Sequence, residues 1–211
     1  MVCLFTTAYL APIHYYARLY HSTSSVIESH CNYVKQTYRN RCVIASANGP
    51  TPLSIPIIKP TSLKSPTKDI RISDHDNWRH LHWNAIVSGY GNSPFFEYYR
   101  DDYEPFYKKK IEFLFDFNEQ LRDTTLRLLH LESDIWFTEA YYNVEGGSII
   151  DLREAIHPKK NPSECDPNYR EISYYQVFAD KLGFTPNLSI IDLLFNMGPE
   201  SLFVLRDSIN P

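Results

Sequence analysis

Glycine is scarce in this chain, with seven residues in 211, about half of what an average usage of roughly 7% would supply. Neither GxGxxG nor GxxxxGK[ST] occurs, and without such turns backbone amides cannot wrap a phosphate in the Walker or dinucleotide-binding manner. Walker-type and dinucleotide Rossmann readings are excluded on that ground. Cysteine is sparse as well: Cys3, Cys31, Cys42 and Cys165 contain no CxxC pair, which argues against a zinc knuckle or a thioredoxin-like motif and for reduced thiols in a cytoplasm. No basic excess exists either. With 21 Lys and Arg against 25 Asp and Glu, the net charge is −4, so the molecule as a whole lacks the footprint of a nucleic-acid binder. Long hydrophobic runs are missing too. Residues 2–11 are apolar, but they have no basic flank, contain two threonines and stop at Pro12, too short to span a bilayer and wrong for a signal peptide. The expectation is a cytoplasmic protein with no transmembrane segment, no nucleic-acid partner, no metal and no bound cofactor.

What the chain does have is aromatic mass: 16 Tyr, 12 Phe and 3 Trp, 15% of all residues. At 43% hydrophobic and 22% charged it lies in the globular range, and its length can bury a core without disulfides. One domain over 1–211 is expected. Residues 2–9 read as a strand, Pro12 as a helix start and 13–20 as the helix. Short strands are predicted at 25–28, 41–47 and 51–58, the last two forming a hairpin about Asn48-Gly49-Pro50. The stretch 59–68, KPTSLKSPTK, is a candidate mobile loop, and 69–73, DIRIS, alternates like a strand. Helices are predicted from Asp74 or Asp76 to Tyr90, from Ser93 toward Arg100, over 108–130, over 174–182 and over 189–197, with a further strand at 135–142. These elements imply an α/β fold: a single domain with a mixed sheet from the N-terminal third and helices from the C-terminal two thirds packed on it.

Four segments can carry chemistry. In residues 33–41, YVKQTYRNR, Lys35, Arg39 and Arg41 flank Asn40 between tyrosines; they form either an anion clamp for phosphate or carboxylate or a solvated loop. If the strand begins at Arg39, both guanidiniums share a side. In residues 75–83, HDNWRHLHW, three histidines tempt a metal reading, but His80 and His82 point about 200° apart on a helix, and no HExxH occurs. Trp78, Arg79 and His82 line either a polar pocket or a packed helix face. His14, two residues after Pro12, stands where HxGH nucleotidyltransferases place their first histidine, yet Tyr16 and Ala17 replace the Gly and second His; a helix N-terminus can still hold an anion. In residues 186–200, Ser189 and Asp192 form a capping-box pair and Gly198-Pro199 a stop signal, leaving Asn196 unexplained.

AYLAPIHYYARL (8–19), NYVKQTYRNRCVI (32–44) with LSIPI (53–57), WRHLHWNAIVSGY (78–90) with SPFFEYY (93–99), and PNLSIIDLLFNMGPE (186–200) together resemble the WbqC-like protein family. The compact length resembles its Bacteroidetes-type branch, although Thr7 and Tyr15-Tyr16 replace the Gln and Gly-Tyr that many members carry at the first turn. The resemblance implies a bacterial protein of lipopolysaccharide O-antigen and related surface-glycan biosynthesis. It adds weight to Lys35, Arg39, Asn40, Arg41, Trp78, Arg79 and Asp192.

The favoured expectation is a transferase acting on an activated sugar or its precursor, with a small-molecule substrate such as a nucleotide sugar. Lys35, Arg39, Asn40, Arg41, Trp78 and Arg79 would bind it, and His14 or His82 would be the acid or base, their ordinary pKa lying near neutrality. The alternatives are a non-catalytic sugar- or partner-binding protein and a nucleotidyltransferase-like enzyme built on His14.

Overall fold

The computed structural model describes every residue except Thr61, Leu63, Glu145, Gly146 and Pro211. Strand β1 (Val2–Thr6), helix α1 (Ile13–His21) and strand β2 (Ser24–Glu28) form a strand–helix–strand unit; β3 (Arg41–Ile44) and β4 (Thr51–Ser54) form a hairpin. Helices α2 (Trp78–Tyr90), α3 (Phe96–Lys108) and α4 (Leu114–Leu128) come next, then strands β5 (Ile135–Phe137) and β6 (Ile149–Asp151). Two one-turn helices, α5 (Pro162–Cys165) and α6 (Ala179–Leu182), precede α7 (Ile190–Met197) and α8 (Ser201–Asp207). The α/β class read from the sequence stands. The strands, however, sort into two sheets: a parallel one ordered β5-β2-β1-β6 and the antiparallel pair β3-β4. Central strand β1 is apolar on both faces, with Cys3, Leu4 and Phe5 all fully buried, as parallel sheets covered on both sides require. Glycine scarcity thus excludes the phosphate loop of doubly wound folds without excluding their parallel sheet.

A glycine-free turn joins β1 to α1. Leu10 stands at φ 40°, a left-handed conformation that costs a branched residue energy unless its surroundings enforce it. The C-terminal segment enforces it. Ser189 Oγ donates to Leu10 O at 2.8 Å, Ile190 N donates to Ala11 O at 2.9 Å, and Ile13 N donates to Leu188 O at 3.0 Å. Ser189 therefore does not cap α7 with its side chain, and the predicted capping box is absent; its hydroxyl serves the distant turn. Helix α7 is buried from Ile190 through Asn196. Phe195 makes edge-on contacts with Tyr90, Phe96 and Tyr103 at centroid distances of 5.3–5.6 Å, geometry favoured by aromatic quadrupoles. Gly198, at φ +56° with the Phe95 ring where a Cβ would stand, ends the helix.

Several predicted elements are shorter than expected. The helix predicted over 108–130 begins only at Leu114, and Lys108 is instead the last residue of α3, which runs past the predicted Arg100; residues 112–114 are stitched to 70–72 through Ile72 N to Glu112 O and Leu114 N to Ile70 O, which satisfies their backbone groups outside a helix. The 69–73 strand survives as the isolated bridges Ile57–Ile72 and Arg71–Phe113. The 174–182 helix shrinks to Ala179–Leu182, because Tyr174 and Gln176 are drawn to Asp192. In the 59–68 loop, Thr61 and Leu63 lie outside the described residues.

Helix α1 carries two polar side chains inward, one turn apart. His14 is 1% and Arg18 2% exposed, and both meet Asp166: His14 Nε2 at 2.7 Å, Arg18 Nε at 2.5 Å, and Arg18 Nη2 on the other carboxylate oxygen. Burial pushes the Asp166 carboxyl up, but hydrogen bonds from His14 and Arg18 outweigh it and hold it at about 2. Burial lowers His14 more than Asp166 raises it. The carboxylate is thus claimed by Arg18, leaving a neutral imidazole. Because Asp166 is lower in the fold than its unfolded value of about 3.8, its stabilisation is complete above about pH 4 and lost as pH falls through about 2. Asp166→Asn leaves a buried guanidinium without a counter-charge and should cost about 3–5 kcal/mol, measured by urea unfolding at pH 7; a cost below about 1 kcal/mol would contradict this account.

A candidate anion-binding groove

The segment after β2 is locked against three neighbours. Tyr9 N donates to Tyr38 O at 2.8 Å, tying the segment to the exit of β1; Asn118 Nδ2 of α4 donates to Arg39 O at 2.8 Å; Ile55 N donates to Asn40 O at 2.8 Å. Thr37 Oγ1 closes the turn on Val34 O at 2.7 Å. Between this segment and residues 55–60 lies a groove of 590 Å3, walled by Val34, Ile55, Pro56, Ile57 and Pro60, with Lys35 and Lys59 on its lining. Tyr33 and Asn40 also line it. Their Oη and Oδ1 atoms are buried without a hydrogen-bond partner, although Asn40 Nδ2 donates to Ile55 O at 3.0 Å. Burial drives the Tyr33 hydroxyl up to about 12, against the opposing charges of Arg39 and Arg41.

Four of the residues singled out in the sequence therefore gather about Tyr33: Lys35, Arg39, Asn40 and Arg41. Only Lys35 and Asn40 line the groove. Arg39 is 3% exposed and reaches Glu154 at 3.4 Å, whereas Arg41, at the start of β3, donates through Nε to Ser54 Oγ at 3.1 Å. The strand begins after Arg39, so the two guanidiniums meet different partners.

The remaining four lie elsewhere. Trp78 is buried and donates from Nε1 to Ser73 O at 2.9 Å. Arg79 lies over the Trp78 ring at 4.7 Å and pairs with Asp74 at 2.7 Å. His82 Nδ1 sits 3.0 Å from Tyr9 Oη, which in turn is 2.8 Å from Tyr107 Oη, in an aromatic core with Trp78 and Phe117. His14 is held by Asp166, its ring 4.2 Å from that of Tyr169. The N-terminal amides of α1 are also engaged, Ile13 N by Leu188 O and His14 N by Asn187 Oδ1, which removes the free helix end considered from the sequence.

Sequence reasoning passed over the buried acids Glu28, Glu119 and Asp166, and read Asp192 only as a capping-box partner and a residue of the family string. Glu119 accepts from Thr7 Oγ1 at 2.6 Å and pairs with Arg122; burial outweighs Arg122 and raises its carboxyl to about 7. Asp192 accepts from Tyr174 Oη at 2.5 Å and Gln176 Nε2 at 2.9 Å, and burial raises it to about 6. Asp166 is held by His14 and Arg18 as described above. For Glu119 the visible signal was its placement within the apolar period of α4. Among the described residues no helix is long and apolar enough to cross a membrane, and no group of three or more His, Cys, Asp or Glu is placed to hold a metal ion.

Residues 7–160 match the WbqC-like protein family. The chain belongs to that family. No curated protein and no solved structure matches it. In this WbqC-like protein the matched region takes in the groove, the β3-β4 hairpin and both aromatic helices α2 and α3, and stops short of Asp166 and of the 186–200 string.

Burial holds His82 at about 4, below its unfolded value of about 6.5. The unfolded chain then binds the extra proton first, so stability falls as pH drops from about 6.5 to about 4, by on the order of 3 kcal/mol from this residue. His82→Gln should remove that dependence, read as the difference in urea-unfolding free energy between pH 7 and pH 4.5 in the two proteins; parallel pH profiles would contradict it.

Proposed function

We propose that this WbqC-like protein works in surface-glycan biosynthesis of the lipopolysaccharide O-antigen type, as a transferase on an activated sugar or its precursor, and that the groove beside residues 33–41 holds the anionic donor. One observation carries this reading: two buried, unpartnered polar atoms, Tyr33 Oη and Asn40 Oδ1, line the same groove as two lysines. Buried polar groups in folded proteins are nearly always paired, so a pair left open in a concavity is explained by a ligand that completes it. The apolar wall of Ile55, Pro56 and Ile57 suits a ring face, and Lys35 and Lys59 suit a phosphate. A nucleotide sugar has all three parts.

Residues 1–211 act in this reading as one WbqC-like unit, supported by the bonds from Asp166 and Ser189 back to α1 and its turn. A reducing cytoplasm is supported by four free cysteines. No proton transfer is assigned to His14 or His82, each of which is buried with one ring nitrogen engaged inside the fold. Among the described residues no histidine or carboxylate lines the groove, and this favours, as the second reading, a sugar-binding protein without catalysis.

Calorimetry with a panel of nucleotide sugars tests the reading. Lys35→Ala should weaken the best ligand about tenfold, the scale of one charge-assisted contact. Tyr33→Phe should weaken it several-fold while leaving the free protein as stable or up to about 1 kcal/mol more so, because the lost hydroxyl was unpaired. Binding unchanged by both substitutions would refute the groove. Turnover of the bound ligand on adding glycan acceptors separates transferase from binding protein.

A further inference from the structure

The arginines carried inside this protein are compensated very unequally. Arg18 has the buried Asp166 on two of its nitrogens. Arg122 has Glu119 and Asp123, and Arg153 has Asp151 and the fully buried Glu28. Arg39, at 3% exposure, has neither arrangement. Among the described residues its one carboxylate within 4.0 Å is Glu154, at 3.4 Å and itself 64% exposed. Its other contacts are long and neutral, Thr37 Oγ1 at 3.4 Å and Cys31 Sγ at 3.7 Å; one nitrogen of each of Arg18, Arg39 and Arg122 is unpartnered, so what sets Arg39 apart is the lack of a close buried carboxylate. A buried cation this poorly matched is costly unless an anion completes it.

The surroundings of Arg39 add positive charge. Lys160 Nζ lies 2.7 Å from Glu154 O, and Lys159 Nζ bridges to Gln36 Oε1 at 3.2 Å, joining the 154–160 loop to the turn that carries Arg39. His157 is near enough for its imidazole to be lowered, by burial first and then by Lys160, Lys159 and Arg39, against Glu154. Arg39 meets the Glu154 carboxylate, whereas Lys160 reaches only the backbone carbonyl of Glu154 and Lys159 the neutral Gln36, so among the described residues neither lysine has a carboxylate within 4.0 Å. The place is also the one that sheet topology favours. The chain leaves β1 toward β2 on one side while β6 lies on the other, and ligands of open parallel sheets bind beyond the carboxyl ends of the strands where the order diverges. Tyr38 is tied to the β1 exit, and Glu154 follows the end of β6 by three residues.

We infer that Arg39, His157, Lys159 and Lys160 form a site for a phosphate-class anion, in which the Glu154 side chain is a displaceable internal counter-ion. An excess of two positive charges over Glu154 suits a dianion better than a single carboxylate. The inference deepens the proposed function, since it gives a phosphate-class donor a second anion contact beside the groove that Lys35 and Lys59 line, and it rests on that reading for the identity of the donor. Glu154 competes with the ligand for Arg39, which sets affinity and keeps the site closed to monovalent anions.

The experiment uses inorganic phosphate and pyrophosphate as probes, titrated calorimetrically into the full chain at constant ionic strength against chloride. Glu154→Gln, at an exposed position that leaves the core intact, should bind pyrophosphate about tenfold more tightly, the scale of removing one opposed charge at short range. Lys159→Ala/Lys160→Ala should weaken it by about the same factor. Unchanged or weaker binding by Glu154→Gln overturns the inference, whatever Lys159 and Lys160 do. If pyrophosphate follows the expected order while no nucleotide sugar binds, the anion site stands and the groove reading alone fails. Nucleotide-sugar binding through Lys35 and Tyr33 with no response to Glu154→Gln overturns the anion site alone.

Discussion

Arg18 brings a positive charge into the middle of the protein on a helix that is buried along most of its length, and a charge in that position must be met by an opposite one or the fold is not viable. Asp166 meets it from 148 residues further along the chain. The same carboxylate takes the hydrogen of His14 one turn earlier, so a single acid meets both buried polar side chains, with Arg18 Nη1 left unpartnered. Much of the remaining structure depends on this pairing. It fixes the 157–168 loop against the helix, and with it the cations of that loop beside Arg39. It also fixes the N-terminal end of α1, where Asn187, Leu188 and Ser189 supply the bonds that a glycine turn and a capping side chain would otherwise supply.

The low glycine content takes on a physical meaning in this setting. Doubly wound proteins with glycine loops bring the backbone close to a phosphate and let amides do the binding. Here the corresponding turn holds Leu10 in a left-handed conformation and commits its amides to the C-terminal segment. In the proposed reading, anion recognition would be left to side chains, and lysine, arginine, histidine and tyrosine flank the carboxyl edge of the sheet. Such a site would carry a constraint of its own: clustered cations repel one another, and an internal acid such as Glu154 would offset that repulsion.

The parts of the fold that were legible in the sequence are those specified locally. Pro12 marked α1, Asn48-Gly49-Pro50 marked the hairpin, and Gly198 marked the end of α7, each through a backbone preference that neighbours do not change. The parallel sheet was not legible, because β5 and β6 are three residues each and their pairing is decided by contacts with β2 and β1 far away in sequence. The late start of α4 at Leu114 was hidden for the same reason: the apolar period already begins at Ile111, and only the bonds of 112–114 to 70–72 reveal where the helix starts. Within the site, the 33–41 segment announced itself by its density of cations and tyrosines, but the distinction between Arg39 and Arg41 did not. Two arginines at neighbouring positions differ in role because one is buried behind Thr37 and the other pairs across a hairpin. His14 and His82 looked reactive because of their residue type; burial converts both into neutral packing groups.

The position of β1 at the centre of the sheet has a kinetic consequence. Its partners include Ile149–Asp151, and the helix after it waits for Asp166 and then for Ser189. Contacts of such sequence separation must pay loop-closure entropy before they contribute any stability, which slows folding relative to proteins built from local pairs. On a ribosome, the first strand and helix would emerge long before the residues that complete them. The N-terminal third, including its exposed β1 edge and the unpaired Arg18, would have to persist as an unfinished element until the C-terminal segment is made, and the final step of folding is the arrival of a stretch of chain that carries no groove residue at all.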